Sequence, residues 1–192
     1  RGPLIPDSAT QPNPPLPLSP PPLESQVMVS PQYLELLHAL LPVALGVVAM
    51  IYSNVQSIYI LNKPRYAMKD FKHPYQPWAK GQDDPRVFRG FKACANQVEW
   101  LVYAIPTYTF AVLFSRVLPG VAMVDLGQVA PWVFFALALV YAKGNVDYIK
   151  GYMESTEARM PGFKMRTNAF KGMFFGLLTS IACFGLTALG FL

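Results

Sequence analysis

The chain has 192 residues, of which 53% are hydrophobic and only 14% are charged, a balance that favours membrane-spanning helices. Its two cysteines, Cys94 and Cys183, allow at most one disulfide and exclude a disulfide framework. Glycine-rich phosphate loops and metal-ligand spacings are absent, and His38 and His73 are isolated, so no metal site is predicted. The net charge of +5 does not indicate nucleic acid, because membrane topology explains where the basic residues lie.

Residues 1–31 form a proline-rich N-terminal tail with ten prolines. Proline removes backbone donors and fixes φ, so the tail favours polyproline-like coil and not a helix. Composition alone indicates disorder. The alternative is an extended segment lying on another surface, which implies a neighbouring subunit bound by residues 1–31. The second predicted domain, residues 32–192, contains four membrane spans.

The first predicted span covers residues 33–61 and exceeds the roughly 20 residues that a bilayer requires. Pro42 should kink this helix, and a neighbouring element can satisfy the carbonyl that the proline leaves free. Glu35 and His38 lie one turn apart near the start of the span. We interpret them as a polar pair at the membrane interface and not as a proton relay.

Residues 62–85 form a loop with five lysines and arginines, four prolines and four aromatic residues, a composition that suits a membrane interface. The second span covers residues 86–118, and Pro119-Gly120 ends it.

The third span covers residues 128–148. Its sequence predicts that it continues as a polar helix beyond the membrane until Pro161-Gly162 stops it. The fourth span covers residues 168–192, and its Gly172 and Gly176, four residues apart, indicate close helix packing. The predicted fold is therefore an all-α integral membrane four-helix bundle.

The distribution of basic residues predicts the topology. Loops 62–91 and 143–167 with their helix-end flanks carry fourteen of the sixteen basic residues, so the positive-inside rule places them on the cytosolic, stromal or matrix side. Both termini then lie on the opposite side of an endoplasmic reticulum or organellar membrane. The fourteen are Lys63, Arg65, Lys69, Lys72, Lys80, Arg86, Arg89, Lys92, Lys143, Lys150, Arg159, Lys164, Arg166 and Lys171.

A polar stripe follows one face of the second span. At about 100° per residue, five side chains fall within an arc of roughly 80°. Charges at membrane depth are costly and normally face a bundle interior, a cavity or a partner, so the stripe should line a polar pocket near one membrane surface. The five are Arg89, Lys92, Asn96, Glu99 and Tyr103.

A second stripe lies on the third helix, where Tyr148, Tyr152, Ser155 and Arg159 are spaced four, three and four residues apart. Two stripes at the same depth on adjacent spans can converge. Together they offer cations, a carboxylate, an amide and phenols, which suits a small ligand that has carboxylates and an ammonium group. A purely structural interpretation also stands, in which the tyrosines and cations form an interfacial belt and the amide and carboxylate lock helix to helix.

Two sequence runs resemble the MAPEG family, the membrane-associated proteins in eicosanoid and glutathione metabolism. The run K-A-C-A-N-Q-V-E-W, residues 92–100, resembles the family's R-A-x-x-N-x-x-E-[YN] motif, and the preceding P-R-V-F-R is similar to its R-V-[YF]-R approach. The run Y-I-K-G-Y-M-E-S-T-E-A-R, residues 148–159, resembles the family's Y-x-x-G-Y-x-x-x-x-x-x-R without a gap. The resemblance covers residues 33–192 and leaves the tail outside.

The resemblance implies a homotrimer with glutathione bound between neighbouring subunits, and a lipophilic second substrate or lipid hydroperoxide that arrives from the membrane lipids. Arg159 would sit at the glutathione thiol and stabilise the thiolate, which is the nucleophile. Arg65 resembles the family's second functional arginine. The glutathione-binding residues carried over by the motifs are Arg89, Lys92, Asn96, Glu99, Trp100, Tyr148 and Tyr152.

Two positions depart from the family pattern. Lys92 replaces an arginine and loses its bidentate fork, and Trp100 replaces a tyrosine and loses its hydroxyl. The predicted function is therefore a glutathione-dependent transferase or peroxidase. The alternative is a non-catalytic scaffold or structural subunit of a larger membrane assembly, anchored by the tail. A channel or proton carrier is disfavoured, because Glu35, His38 and Glu99 form no continuous file along one helix.

Overall fold

The computed structural model describes residues 30–67, 85–120 and 124–191. Within its helices, the side chains of residues 61, 64–67, 85–88 and 91 are not described. The tail of residues 1–29 and the loop of residues 68–84 lie outside the described residues, and so does the predicted contact of the tail with a neighbouring subunit.

Four helices make up the described chain: α1 (Pro31–Ala67), α2 (Pro85–Ser115), α3 (Leu126–Glu154) and α4 (Met160–Ala188). Each is long and apolar enough to cross a membrane. The prediction of an all-α chain with four spanning helices is thus confirmed for the described residues, and the chain is a multi-pass membrane protein by the length and composition of its helices.

The predicted boundary between the third and fourth helices is wrong. Helix α3 does not continue to Pro161 but ends at Glu154, because Ser155 adopts extended backbone and its Oγ accepts the Ala158 N–H at 3.0 Å. Helix α4 begins at Met160, well before the predicted Asn168. Pro161 lies in the first turn of α4, where its missing N–H costs nothing, so it begins a helix and does not end one.

Helices α2 and α3 lie at the centre of the bundle. Each of them contacts the other three helices, whereas α1 and α4 do not touch each other within the described ranges. Tyr108, Phe134, Tyr141 and Met173 are buried where the helices meet. The outward faces carry exposed apolar side chains, as a lipid environment requires: Leu37, Val48, Ile51, Val133, Phe175 and Leu178.

Close packing of α4 on α3 is confirmed at the two predicted glycines. A Cβ at Gly176 would collide with the ring of Phe134, and a Cβ at Gly172 would lie 3.2 Å from Cδ1 of Leu137. Residues without a side chain therefore allow α4 to approach α3 at these positions.

A residue just beyond the end of α2 supplies the hydrogen bond that Pro42 removes from α1. Pro42 has no N–H, so the His38 carbonyl, four residues earlier, lacks its helical donor. Nη2 of Arg116, just beyond the end of α2, donates to this carbonyl at 2.8 Å. The prediction that a neighbouring element satisfies the carbonyl freed by Pro42 is confirmed.

Candidate functional site

The turn between α3 and α4 positions Arg159. A Cβ at Gly151 would collide with the Ala158 carbonyl, so only glycine lets residues 155–159 fold back against the last turn of α3. The guanidinium carbon of Arg159 then lies 4.7 Å from the ring centroid of Tyr152, a cation–π contact. The helical spacing predicted that Arg159 shares one face of α3 with Tyr152. In the structure, Arg159 instead reaches Tyr152 from this turn.

The two predicted stripes meet between α2 and α3. Nδ2 of Asn96 donates to Oη of Tyr148 at 3.3 Å, across 52 residues of sequence. Tyr148 is only 2% exposed, and its ring centroid lies 5.5 Å from that of Tyr152. Asn96, Tyr148, Tyr152 and Arg159 therefore form one continuous set of contacts, which we call the end cluster.

Arg89 also reaches this end of the bundle. It is half-buried near the start of α2, and its Nη2 donates to the Met153 carbonyl at 3.3 Å. Since Met153 adjoins Tyr152, the cation lies beside the end cluster and ties the start of α2 to the last turn of α3.

A groove of about 420 Å³ lies between α2 and α4, lined by Glu99, Trp100, Tyr103 and Phe170. We call it the α2–α4 groove. Glu99 is exposed and Tyr103 is 66% exposed, so both lie on an outward face of α2, and Lys92 is exposed as well. The predicted polar stripe is thus divided between the bundle interior and its outer surface.

Arg166 joins the two parts, and the sequence interpretation missed it by assigning it to the basic flank of a loop. It is 1% exposed, and its guanidinium carbon lies 4.1 Å from the ring centroid of Tyr148 and 5.1 Å from that of Trp100. Nη1 of Arg166 donates to Oδ1 of Asn145 at 3.3 Å. The available signal was spacing, because Arg166 belongs to a regular buried face of α4 with Gly162, Ala169 and Met173.

Buried polar side chains behind Arg166 connect the helices. Nε2 of Gln97 donates to the Asn145 carbonyl at 2.8 Å, and Nδ2 of Asn145 donates to Oγ of Ser53 at 3.4 Å. With the bond from Arg166, residues of all four helices share this network. Buried polar networks of this kind fix one arrangement of the helices around them.

Three further residues complete the positions named from the sequence. Arg65 lies in α1, but its side chain is not described. Cys94 and Cys183 are free and half-buried. Among the residues that the structure describes, no group of three His, Cys, Asp or Glu side chains could hold a metal ion.

The arrangement offers donors and acceptors for a small polar ligand. The end cluster supplies a guanidinium, two phenols and an amide, and the α2–α4 groove adds a carboxylate beside three aromatic side chains. This set can hold carboxylate and ammonium groups together, next to apolar surface. Comparison with models of known protein families gives no match, and comparison with curated proteins gives none either.

Proposed function

We propose that the chain is a membrane-bound, glutathione-dependent transferase or peroxidase of the MAPEG type, acting on lipophilic electrophiles or lipid hydroperoxides. The observation that carries the proposal is the contact of the two sequence motifs in space. The hydrogen bond from Asn96 to Tyr148 joins the α2 motif to the α3 motif, and Arg159, the last residue of the second motif, lies on Tyr152 beside it.

The proposed roles follow from the charge of each group. Asn96 and Glu99 hold the peptide part of glutathione, with Glu99 on its ammonium group. Arg89 and Lys92, near the start of α2, bind the glutathione carboxylates. Tyr148, Tyr152 and Trp100 line the site. Arg65 remains a second candidate catalytic arginine.

Arg159 acts on the sulfur. A guanidinium beside the glutathione thiol favours the thiolate over the neutral thiol. In the transferase reaction the thiolate forms a C–S bond as the leaving group departs from the electrophile. In the peroxidase reaction the sulfur attacks the terminal peroxide oxygen, the O–O bond breaks, and a second glutathione completes the disulfide as the lipid alcohol and water are released.

The outward polar face of α2 supports a site shared between copies of the chain. Glu99, Tyr103 and Lys92 are exposed on a helix that is apolar enough to span a membrane. A carboxylate facing lipid is costly, so this face should lie against a second copy, with glutathione at the junction. We propose a homotrimer on this ground together with the family resemblance.

One observation favours the scaffold alternative. The amide of Asn96 and the hydroxyl of Tyr148 are already paired with each other, as they would be in a purely structural lock between α2 and α3. In that case the chain would be a non-catalytic subunit, and residues 1–31 would be the segment to test for a partner.

The deciding experiment measures glutathione binding and thiolate formation by the purified chain in detergent. We expect saturable binding, an ultraviolet thiolate signal that disappears in Arg159→Ala, and a kcat/KM about 100-fold lower in that variant with a lipophilic electrophile. Lys164→Ala, which removes an exposed cation from the first turns of α4, is the matched control and should behave like wild type.

Absence of binding at millimolar glutathione, with the oligomer intact by light scattering, would contradict the enzyme and favour the scaffold. Binding with an unchanged thiolate signal in Arg159→Ala would contradict the assigned role of Arg159.

A further inference from the structure

A second cavity lies at the other end of the bundle from the end cluster. It has a volume of about 520 Å³ and opens between the start of α1, the end of α2 and the start of α3. Its size lies within the range of small-molecule sites. The residues that line it are Leu34, Glu35, His38, Arg116, Gln128 and Trp132.

Arg116 has unused hydrogen-bonding capacity in this cavity. A guanidinium carries five N–H donors in a planar fork. Nη2 donates to the His38 carbonyl, and Nε is buried without a hydrogen-bond partner among the described residues. The bond to His38 fixes the guanidinium in place beside the cavity, so the donors that face the cavity are held ready for an anionic group such as a phosphate.

The other lining groups suit a positive charge. Glu35 supplies a carboxylate, and Trp132, which is 44% exposed, supplies an indole ring for a cation–π contact with an ammonium group. A site for a purely anionic ligand would not include Glu35, and a site for a purely cationic ligand would not include Arg116. The lining therefore matches a zwitterion that has one phosphate and one ammonium group.

The position of the cavity identifies the source of that zwitterion. The same helix ends expose Leu37, Leu41, Val129 and Val133 beside the cavity-lining residues, so apolar chains can lie along α1 and α3 while a headgroup enters the cavity. Ends of spanning helices lie at the membrane interface, where phospholipid headgroups are concentrated. A phospholipid therefore meets the cavity with its headgroup at the cavity and its acyl chains along α1 and α3.

We propose that this cavity binds the headgroup of a zwitterionic phospholipid, with its phosphate on Arg116 and its ammonium group between Glu35 and Trp132. The lipid site is independent of the proposed glutathione reaction, because its lining residues lie at the opposite end of the bundle from Arg159.

Native mass spectrometry of the full chain in detergent tests the proposal, with phosphatidylcholine, phosphatidylglycerol and water-soluble glycerophosphocholine as probes. We expect wild type to retain phosphatidylcholine in preference to the other two. Glu35→Gln should reduce the ratio of phosphatidylcholine to phosphatidylglycerol about tenfold, and Arg116→Gln should reduce retention of both lipids about tenfold, since each variant removes one of the two charges that hold the headgroup.

Glu154→Gln and Lys150→Gln remove matched exposed charges from the far end of α3 and should leave lipid retention unchanged. Arg116→Gln also removes the bond to His38. If that variant loses helical circular dichroism, the proposal is tested with Glu35→Gln and Trp132→Ala instead. Equal retention by wild type and these variants would overturn the proposal. Glycerophosphocholine binding as tightly as the lipid would overturn its assignment to a membrane lipid.

Discussion

Arg166 lies inside the bundle, where its guanidinium contacts the rings of both Tyr148 and Trp100 and its Nη1 donates to Asn145. A buried cation of this kind is costly to desolvate and is retained where its contacts orient other groups. Tyr148 and Trp100 both belong to the proposed glutathione site. Arg166 is therefore a positioning residue for that site, and it touches neither the thiol nor the electrophile in the proposed reaction.

Replacement of Arg166 should weaken glutathione binding more than it changes the chemical step. Arg166→Met removes the cation–π support of two site residues while Arg159 remains, so we expect the KM for glutathione to rise about tenfold with a smaller change in kcat. Arg166→Lys keeps the charge and should recover part of the affinity. Steady-state kinetics with both variants test this, and an unchanged KM in a folded Arg166→Met protein would contradict it.

Removal of the Tyr148 hydroxyl tests whether this group contributes to glutathione binding as well as to the stability of the fold. Tyr148→Phe loses the bond from Asn96, at a cost of about 1 kcal/mol in stability, and should also weaken glutathione binding. Tyr52→Phe is matched, because Tyr52 accepts a bond from Nε2 of Gln56 at 2.7 Å on the outer face of α1. Isothermal titration should show weaker binding in the first variant alone. Equal affinities would remove Tyr148 from the site.

At this scale, sequence reasoning could find residues by motif and by helical face. It brought Asn96 and Tyr148 together, because both positions follow from regular spacing on helices that are long enough to be placed. It missed the inward position of Arg166, because an arginine near a basic loop is usually solvated, although its spacing with Gly162, Ala169 and Met173 places it on the buried face of α4. It also could not divide the α2 stripe into half-buried Arg89 and Asn96 and exposed Lys92, Glu99 and Tyr103.

The α3–α4 hairpin is the element that positions the end cluster. Gly162 allows α4 to begin directly against the backbone of Tyr148, and Gly151 allows the turn to lie against the end of α3. The glycine of the Y-x-x-G-Y motif thus has a packing role. Sequence pattern identified the helices but not this turn, because Pro161 is compatible with either a helix end or a helix start. The hydrogen bond that Ala158 N–H donates to Ser155 Oγ decides between them.

A methyl group at Gly151 should displace Arg159. Gly151→Ala brings a Cβ against the Ala158 carbonyl, so the turn must shift, at a cost of about 2 kcal/mol and with loss of the thiolate signal. Gly185→Ala is the matched control in α4, because no described atom outside its own stretch of helix lies within 4 Å of the added carbon. Melting temperature and ultraviolet absorbance with glutathione test both variants. A normal thiolate signal in Gly151→Ala would mean that the turn does not position Arg159.

At the scale of the whole molecule, the outer surface has two kinds of face. The outward faces of α1 and α4 are apolar, whereas α2 presents Glu99 and Tyr103 beside the α2–α4 groove. Lipid can cover the first kind without loss, but it cannot satisfy a carboxylate. Hydropathy alone predicted the four spans. It does not contain the order in which the helices pack, and that order decides which faces point outward.

Cross-linking should detect a second copy against the α2 face. In a chain with Cys94 and Cys183 replaced by serine, Tyr103→Cys should form a dimeric or trimeric product with a short bifunctional reagent in lipid nanodiscs. Val48→Cys, on the apolar outer face of α1, is the comparison and should react as a single chain. If both positions stay monomeric, the polar face is not an interface between copies, and the shared glutathione site is contradicted.

The bond from Arg116 to the His38 carbonyl also bears on how the chain enters a membrane during synthesis. The two residues are 78 positions apart, so α1 leaves the ribosome long before its missing donor has been translated. Until α2 arrives, the carbonyl freed by Pro42 lacks this protein donor at the membrane interface, and α1 is not yet tied to α2 by that bond. Biogenesis should therefore proceed by pairs, with α1 becoming firmly integrated only as a hairpin with α2.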